Sequence, residues 1–474
     1  MAGEKMNFLK KFENTMWMLI KFALYIMLLL AFMLILAREN PALLRLSRTM
    51  GITITTFVIV GTLFLTIYGK YDVGRRKSKP IIYSLVLATL FTDIVTYLQL
   101  MIMKTITTLS AFRLRSISLI ILVYIVQIFV IVLFVYGGNA LFFILHEPES
   151  CCIITSSQKS LNCIAWAVGK YKKQYRIDYV VDYRDKNALR DLPKVDTIFI
   201  YDIPVIQRSE ILRYCYEKNI NVYFNPEIED VVEMNAQSYM LDDISVLNRN
   251  VKHWTMEQRI AKKAMDVVLA IVLLIITSPI CLITAIVIKA HDGGNILFKQ
   301  KRATLHGKTF EVYKFRTMKE NVENKSAVKG DDRITSPGKF LRKTRIDELP
   351  QLINILRGDM SFVGPRPEML ENVLAYQQEI PEFRYRLRVK AGLTGYAQIA
   401  GKYNTSPRDK LIMDMQYIEQ FSIVRDIQLL FQTCIVLLKS DSTEVFYANK
   451  QKTQYVFRSV IEKDKDGSGK GGKL

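Results

Sequence analysis

Four apolar runs fill most of the first 140 residues, at roughly 14–37, 51–69, 81–103 and 117–136. Each is close to the ~20 residues a helix needs to cross a hydrocarbon core. In lipid the backbone must satisfy its own polar groups, which leaves helices and closed barrels as the spanning structures. The runs therefore predict a four-helix transmembrane region over 1–140, and the 50% hydrophobic content fits a membrane protein. The first run is too long and too deep in the chain, with no small-residue cleavage pattern, for an ordinary cleaved signal peptide.

Basic residues flank every run: Lys5, Lys10 and Lys11; Arg38, Arg45 and Arg48; Lys70, Arg75, Arg76, Lys77 and Lys79; Lys104, Arg113 and Arg115. Because they lie on both sides, they favour both ends of the bundle inside only by a small bias. Lys21 and Asp93 fall within the runs. Such residues mark a transport path in some proteins, but more often they face a partner helix or snorkel.

The net charge of +20 calls for an anionic partner: nucleic acid, lipid headgroups or a phosphorylated substrate. The aromatics sit in the apolar runs and are not interleaved with the basic patches, which disfavours nucleic acid. The six cysteines show no CxxC spacing and the four histidines are scattered, so free thiols in a reduced compartment are expected and a zinc site is not.

Residues 141–250 read as a Rossmann-like α/β module. Short β-rich runs recur at 151–155, 179–183, 197–202 and 221–224, with helical patterns between them, clearest over Val205–Lys218. The turn after the first run, TSSQKSLN, lacks the glycines that let a backbone approach a pyrophosphate. A structural or regulatory role is expected for this module.

A fifth apolar run, Met265–Lys289, has two readings. At 1.5 Å per residue it is long enough to span. Pro279, preceded by Ser278, lies near its middle, and a proline there removes a hydrogen bond and kinks a helix. A break at Ser278–Pro279 would make the segment re-entrant, with both ends on one face and the serine hydroxyl satisfying a freed backbone group. Beyond it, 290–460 form a second basic unit. Phe421–Leu438 is either a core helix or one lying on the bilayer. The tail 461–474 is expected to be disordered, and its DKDGSG opening lacks the twelfth-position Glu of a calcium loop.

The chemistry concentrates in RKTRIDELPQLINILRGDMSFVGPRP, residues 342–367. Proline is tolerated only in a first helical turn, so Pro350 places an N-cap near Ile346 or Asp347. Leu349, Leu352, Ile353 and Leu356 would then line one face, and Gly358 would end the helix. Asp347 and Glu348 stand at the positive end of that helix. Asp347 as a simple N-cap is the bland alternative. Around the pair lie Lys314, Arg316, Arg342, Lys343, Arg345 and Arg366, the last held between Pro365 and Pro367. Carboxylates among fixed cations suit a phosphoryl-transfer centre with a divalent ion.

Three stretches, KQKRATLHGKTFEVYKFRTM (299–318), LRKTRIDELPQLINILRGDMSFVGPRPE (341–368) and AGLTGYAQIAGKYN (391–404), closely resemble the bacterial sugar transferases, the monotopic polyprenyl-phosphate hexose-1-phosphate transferases. The resemblance covers about 255–460 strongly, and the N-terminal architecture resembles the large subfamily more loosely. It implies transfer of a sugar-1-phosphate from a UDP-sugar to undecaprenyl phosphate, release of UMP, Mg2+ as cofactor, and a place at the start of capsule, exopolysaccharide, O-antigen or related glycan assembly. It implies that Asp347 is the nucleophile, forming an aspartyl-phosphosugar, with Glu348 beside it. Lys314 and Arg342 would contact phosphate, Pro365, Arg366 and Pro367 would form the family's Pro-Arg-Pro element, and Ser278–Pro279 its helix break. Asp347 and Glu348 would also be the residues that hold the metal.

The expected fold is thus a membrane protein of class α + α/β. Its parts are a four-helix transmembrane region (1–140), the Rossmann-like module (141–250), and a mainly helical catalytic domain (255–460) with a re-entrant membrane helix at 265–289. The expected location is the bacterial inner membrane, with both soluble parts cytoplasmic, in contact with membrane lipid, and the large N-terminal region is compatible with a homodimer. Two rivals stand beside the enzyme: a non-catalytic membrane scaffold that senses a ligand through the α/β module, and a transporter built on the four spans. Nothing in the residues selects which sugar is transferred.

Overall fold

The computed structural model describes residues 12–74, 76–105, 117–185, 194–250, 254–320, 331–401 and 405–438. The tail 461–474, the stretch 439–460, the N-terminal lysines and Arg75, Arg113 and Arg115 lie outside the described residues. The structure is mostly helical, with a small parallel sheet, and its chain divides into two compact units, one ending at Asn225 and one running from Pro226 to Lys450.

The first unit opens with α1 (Glu13–Leu36), α2 (Arg48–Tyr68), α3 (Ser78–Thr105) and α4 (Ile117–Leu145). All four are long and apolar enough to cross a membrane. They share a core that includes Leu28, Phe32, Phe57, Leu85, Val123 and Ile131. Asp93 faces a partner helix: Gln127 Nε2 donates to its Oδ1 at 3.2 Å and to the Leu28 carbonyl at 3.0 Å, so one α4 side chain ties α3 to α1.

The chain then builds β1 (Glu149–Thr155), α5 (Gln158–Val168), β2 (Tyr175–Asp182), β3 (Thr197–Tyr201), α6 (Val205–Lys218) and β4 (Asn221–Phe224). All neighbouring strands are parallel, in the order β2-β1-β3-β4. Strand periodicity divides β1 between two cores. Cys151 and Ile153 pack with Leu161 and Ala165 of α5, whereas Cys152 and Ile154 pack with Ile211 and Cys215 of α6. Where a glycine-rich turn would cradle phosphate, an acid from the end of β3 sits against the start of α5 instead. Asp202, in a left-handed conformation (φ 60°), accepts hydrogen bonds from Ser156 Oγ at 3.1 Å and from Ser160 Oγ. A carboxylate in that place repels a second anion.

The second unit begins with α7 (Ile228–Glu233) and the hairpin β5 (Gln237–Leu241)–β6 (Ile244–Asn248). Val231 packs against Phe383, Leu411 and Met415, so these residues, which sequence pattern alone groups with the α/β module, share a core with the downstream chain. Then follows α8 (Met256–Asp292), a single helix that continues through Pro279. The proline leaves the carbonyl four residues back without its usual donor, and Ser278 Oγ donates to that carbonyl, Ile275 O, at 2.8 Å. This helix too is long and apolar enough to cross a membrane.

The remaining elements are β7 (Leu297–Ala303), β8 (Thr309–Phe315), α9 (Ser336–Thr344), α10 (Gln351–Arg357), β9 (Ser361–Val363), α11 (Leu370–Glu379), β10 (Gly392–Thr394), α12 (Tyr396–Ala400), α13 (Pro407–Gln420) and α14 (Ile423–Leu438). Strands β7 and β8 form an antiparallel hairpin, and β9 pairs in parallel with β10. Phe310, Val312, Leu352, Ile355, Phe362, Tyr417 and Leu429 form the main core of this unit, with Ala270 of α8 inserted among them.

Candidate active site

The two carboxylates lie in a single 3-10 turn, Ile346–Glu348, that leads into α10. Pro350 is helical and immediately precedes Gln351, as a proline in a first turn should. The flanking residue on the other side is Arg345, in a left-handed conformation (φ 57°), not Ile346 or Asp347. Asp347 makes no capping hydrogen bond, so the bland reading of an N-cap does not describe it. The helix ends at Gly358 (φ 83°), as expected.

The buried face of α10 differs from the expected one. Gln351, Leu352, Asn354 and Ile355 point inward, while Ile353 and Leu356 are exposed at 36% and 38%. The reason is Asn354, fully buried, which acts as a piece of sheet edge. Its Nδ2 donates to Glu311 O at 2.7 Å and its Oδ1 accepts from Tyr313 N at 3.0 Å, which fixes α10 to β8. Strand alternation then sets Lys314 on the side of Phe310 and Val312, toward the acids.

Lys314 Nζ reaches Glu348 Oε1 at 3.2 Å and Arg366 Nη2 reaches the same oxygen at 2.7 Å. Burial on its own would raise the Glu348 pKa, but Arg366 and Lys314 outweigh it and hold the carboxyl well below the usual carboxylate range. Neither cation takes Oε2. Asp347 is different. It is half-buried and makes no hydrogen bond or ion pair among the described residues. Burial, then the charge of Glu348, push it up to about 6, against the opposing pull of Lys314, Arg342 and Arg366. One acid is thus clamped and the other is left free in a cationic field.

Arg342 approaches from α9, its Nε donating to Thr317 Oγ1 at 2.8 Å. Arg345 adds to the positive potential at Glu348. Arg316 is bound elsewhere, contrary to its expected place with the other cations. Its guanidinium takes both carboxylate oxygens of Asp292, Nη1 at 2.7 Å, and so ties β8 to the end of α8. Ser278 and Pro279 lie in the exposed apolar stretch of α8, where the serine hydroxyl is taken up by the Ile275 carbonyl.

The Pro365-Arg366-Pro367 turn is held by a backbone crossing that sequence pattern does not reveal. Gly364 N donates to Thr394 O and Gly392 N to Pro365 O, both at 2.9 Å. The backbones are so close that a Cβ on Gly392 would lie 2.1 Å from Gly364 N, and one on Gly395 2.2 Å from Gly364 O. Three glycines from VGPRP and AGLTG are therefore required by close approach, not by unusual φ. Also missed by sequence reasoning are Asn354, which bonds β8, and Arg302, Glu368, Arg386 and Asp414, polar residues about the turn. A signal exists in the glycines of two separated motifs, but their pairing is not readable from one sequence.

Residues 257–440, from α8 to the end of α14, match the family described as Bacterial sugar transferase. The chain is 40% identical over 183 residues to a UDP-N-acetylgalactosamine-undecaprenyl-phosphate N-acetylgalactosaminephosphotransferase of Aeromonas hydrophila, covering 37% of this chain and 43% of that protein. It is 39% identical over 189 residues to a UDP-glucose:undecaprenyl-phosphate glucose-1-phosphate transferase of Caulobacter vibrioides, covering 38% of this chain and 71% of that one. A sugar transferase of Bacillus subtilis, named as uncharacterized, is 40% identical over 186 residues, which is 39% of this chain and 91% of the relative. The shared stretch is thus less than half of the Aeromonas protein but nearly all of the Bacillus one. With this match falling on the unit that holds the paired acids, the chain belongs to the bacterial sugar transferase family.

Proposed function

We propose that the protein transfers a sugar-1-phosphate from a UDP-sugar to undecaprenyl phosphate, releasing UMP, with Asp347 as nucleophile. The observation that carries this reading is the asymmetry of the paired acids. Glu348 is fixed by Lys314 and Arg366, while Asp347 keeps both oxygens free beside them. With a pKa of about 6, Asp347 is mostly ionised at neutral pH and needs no base. The names of the Aeromonas and Caulobacter relatives, which state transfer to undecaprenyl phosphate, support the substrate class.

In the first step a carboxylate oxygen of Asp347 attacks the phosphorus bearing the sugar. The bond from that phosphorus to the bridging oxygen breaks, and UMP leaves with the electron pair. In the second step a phosphate oxygen of the lipid attacks the same phosphorus, the acyl-phosphate bond breaks, and Asp347 returns as a carboxylate. Each step brings two anions together, the Asp347 carboxylate and the diphosphate in the first and the acyl-phosphate and the lipid phosphate in the second, and Lys314, Arg342 and Arg366 supply the opposing charge.

Mg2+ fits this site. No group of three acids or histidines that could hold a metal is found among the described residues. Magnesium, however, is commonly held by one or two carboxylates together with water and substrate phosphates, and Asp347 with the free Oε2 of Glu348 offers that set. When bound, the ion would neutralise charge on the diphosphate.

We read α8 as re-entrant. Asp266 Oδ1, before Pro279, accepts from Phe362 N at 3.1 Å, and Ala270 enters the core with Phe310. After Pro279, Ile288 packs with Phe315 and Leu341. Both flanks thus dock on one unit, while Ile275, Ile276, Leu282 and Ile283 between them are 62–68% exposed. A helix spanning the bilayer would hold its flanks ~30 Å apart on opposite sides. The exposed Phe340, Ile353 and Leu356 near the acids would lie at the membrane surface on the cytoplasmic side, where a nucleotide-sugar and a lipid phosphate meet, at the initiating step of glycan assembly.

The test uses the full chain in detergent with undecaprenyl phosphate and a panel of UDP-sugars, measuring UMP release. Incubation with the active UDP-sugar alone, followed by intact-mass analysis, should reveal a sugar-phosphate adduct on the wild type and none on Asp347→Asn. Undiminished turnover by that variant would sink the nucleophile assignment.

A further inference from the structure

We propose that Arg386 is a positioning residue for the transfer reaction, acting through the backbone of Arg366. This inference rests on the reaction proposed above and adds to it the part that holds the Pro-Arg-Pro turn from behind. Arg386 lies in a 3-10 stretch, Pro381–Arg388, and is only 4% exposed. Its Nε donates to Asp414 Oδ2 at 3.0 Å and its Nη2 approaches the same oxygen at 2.7 Å. Nη2 also donates to the carbonyl oxygen of Arg366 at 2.9 Å, and the guanidinium lies over the Phe383 ring, 4.8 Å from its centroid.

A buried pair of this kind has no strong claim on stability, since apolar residues of similar volume often serve as well or better. What it does offer is direction. The planar guanidinium is locked by Asp414 and Phe383, so the second N–H of Nη2 has one place to go. That place is the carbonyl of the residue whose own side chain clamps Glu348. Pro365 and Pro367 fix φ on either side of Arg366, and Arg302 Nη1 takes the next carbonyl, Pro367 O, at 2.9 Å. Two consecutive carbonyls of the turn are thus gripped by arginines, Arg386 buried and Arg302 partly so. Glu368 balances the local charge: Lys410 Nζ reaches its Oε1 at 3.3 Å, and Arg386 Nη1 is 3.9 Å away. With its backbone held, the Arg366 guanidinium reaches Glu348 without a search.

Arg386→Lys keeps the charge but loses the fork, so it cannot serve Asp414 and the Arg366 carbonyl in the same geometry. A misplacement near 1 Å at a reacting group costs on the order of 10²-fold in rate. The experiment is a double-mutant cycle on the full chain in detergent, measuring UMP release with the UDP-sugar that the panel identifies. The expected result is a loss of about this size in kcat, with KM for the UDP-sugar unchanged, for Arg386→Lys alone. In an Arg366→Lys background the same change should cost almost nothing further, because the group it acts through is already gone. Asp414→Asn, which preserves shape, should show the same non-additivity and guards against a folding defect in the first variant. Losses that multiply in the two backgrounds, or that appear only as a lowered unfolding temperature, would overturn the inference while leaving the reaction intact. Absence of UMP release from the wild type with every UDP-sugar would instead overturn the reaction itself.

Discussion

Replacing the proposed nucleophile should make the protein more stable, by an amount that depends on pH. Asp347 titrates near pH 6 in the folded chain, against an unperturbed value of 3.8. Folding therefore favours its protonated form, and the ionised carboxylate opposes folding. That cost is absent below about pH 4, grows as pH rises, and is complete above about pH 6. A rise of this size corresponds to about 3 kcal/mol at one pKa unit per 1.36 kcal/mol. Asp347 is only half-buried, so solvent screening reduces the figure to on the order of 1–2 kcal/mol. For a unit of this size that is roughly 2–8 °C in unfolding temperature. The assay is thermal unfolding of wild type and Asp347→Asn in detergent with EDTA, at pH 8 and at pH 4. Asn should unfold at the higher temperature at pH 8 and at the same temperature as wild type at pH 4. Adding Mg2+ at pH 8 should then raise the wild type more than the variant, since the removed charge is one that the metal would use. Equal or lower stability of the variant at pH 8 would refute the reasoning, because it would mean that the lone carboxylate is not held against its preference.

The glycine crossing gives a second test. Gly392→Ala would place a methyl 2.1 Å from Gly364 N, so the backbones must part and the Pro-Arg-Pro turn with them. The expected cost is above about 4 kcal/mol, the range of strained or overpacked core sites, seen as loss of folded protein on size exclusion, whereas Gly169→Ala, at a helical φ of −59° with nothing within 4 Å, should cost far less. The topology of α8 gives a third. Single cysteines at Glu257 and at Lys289, in a chain cleared of its native thiols, should react with a membrane-impermeant maleimide from the same face of oriented vesicles. Labelling from opposite faces would refute the re-entrant reading.

Much of this arrangement is readable in the sequence because its causes are local. The apolar runs give helices long and apolar enough to cross a membrane, Pro350 limits where a helix can begin, and the alternation of short β-rich runs gives the parallel sheet that is found. The cations around Asp347 are also visible, since Arg342 and Arg366 lie within twenty residues of it along the chain. What is not readable depends on partners far apart in sequence. Asn354 looks like one polar residue in an amphipathic helix, and its role as a strand edge exists only once β8 is beside it. Its presence rotates the buried face of α10, which is why Ile353 and Leu356 face outward. Arg316 looks equivalent to Lys314 two positions away, but Asp292 at the end of α8 claims it. The polar group of Arg302, Glu368, Arg386 and Asp414 is spread over more than a hundred residues, and no spacing announces it.

The hydroxyl of Ser278 on the Ile275 carbonyl has a consequence for how the protein meets different membranes. The deepest part of α8 carries no bare carbonyl at the site of the proline, so it can rest in hydrocarbon without a polar partner from another helix. On the re-entrant reading, both flanks belong to one rigid body and the segment samples a single leaflet. Hydrophobic mismatch, which tilts or strains full-length spans when bilayer thickness changes, then has little purchase on it. The height of Asp347 above the acyl chains would be set by the protein's own dimensions, not by those of the lipid.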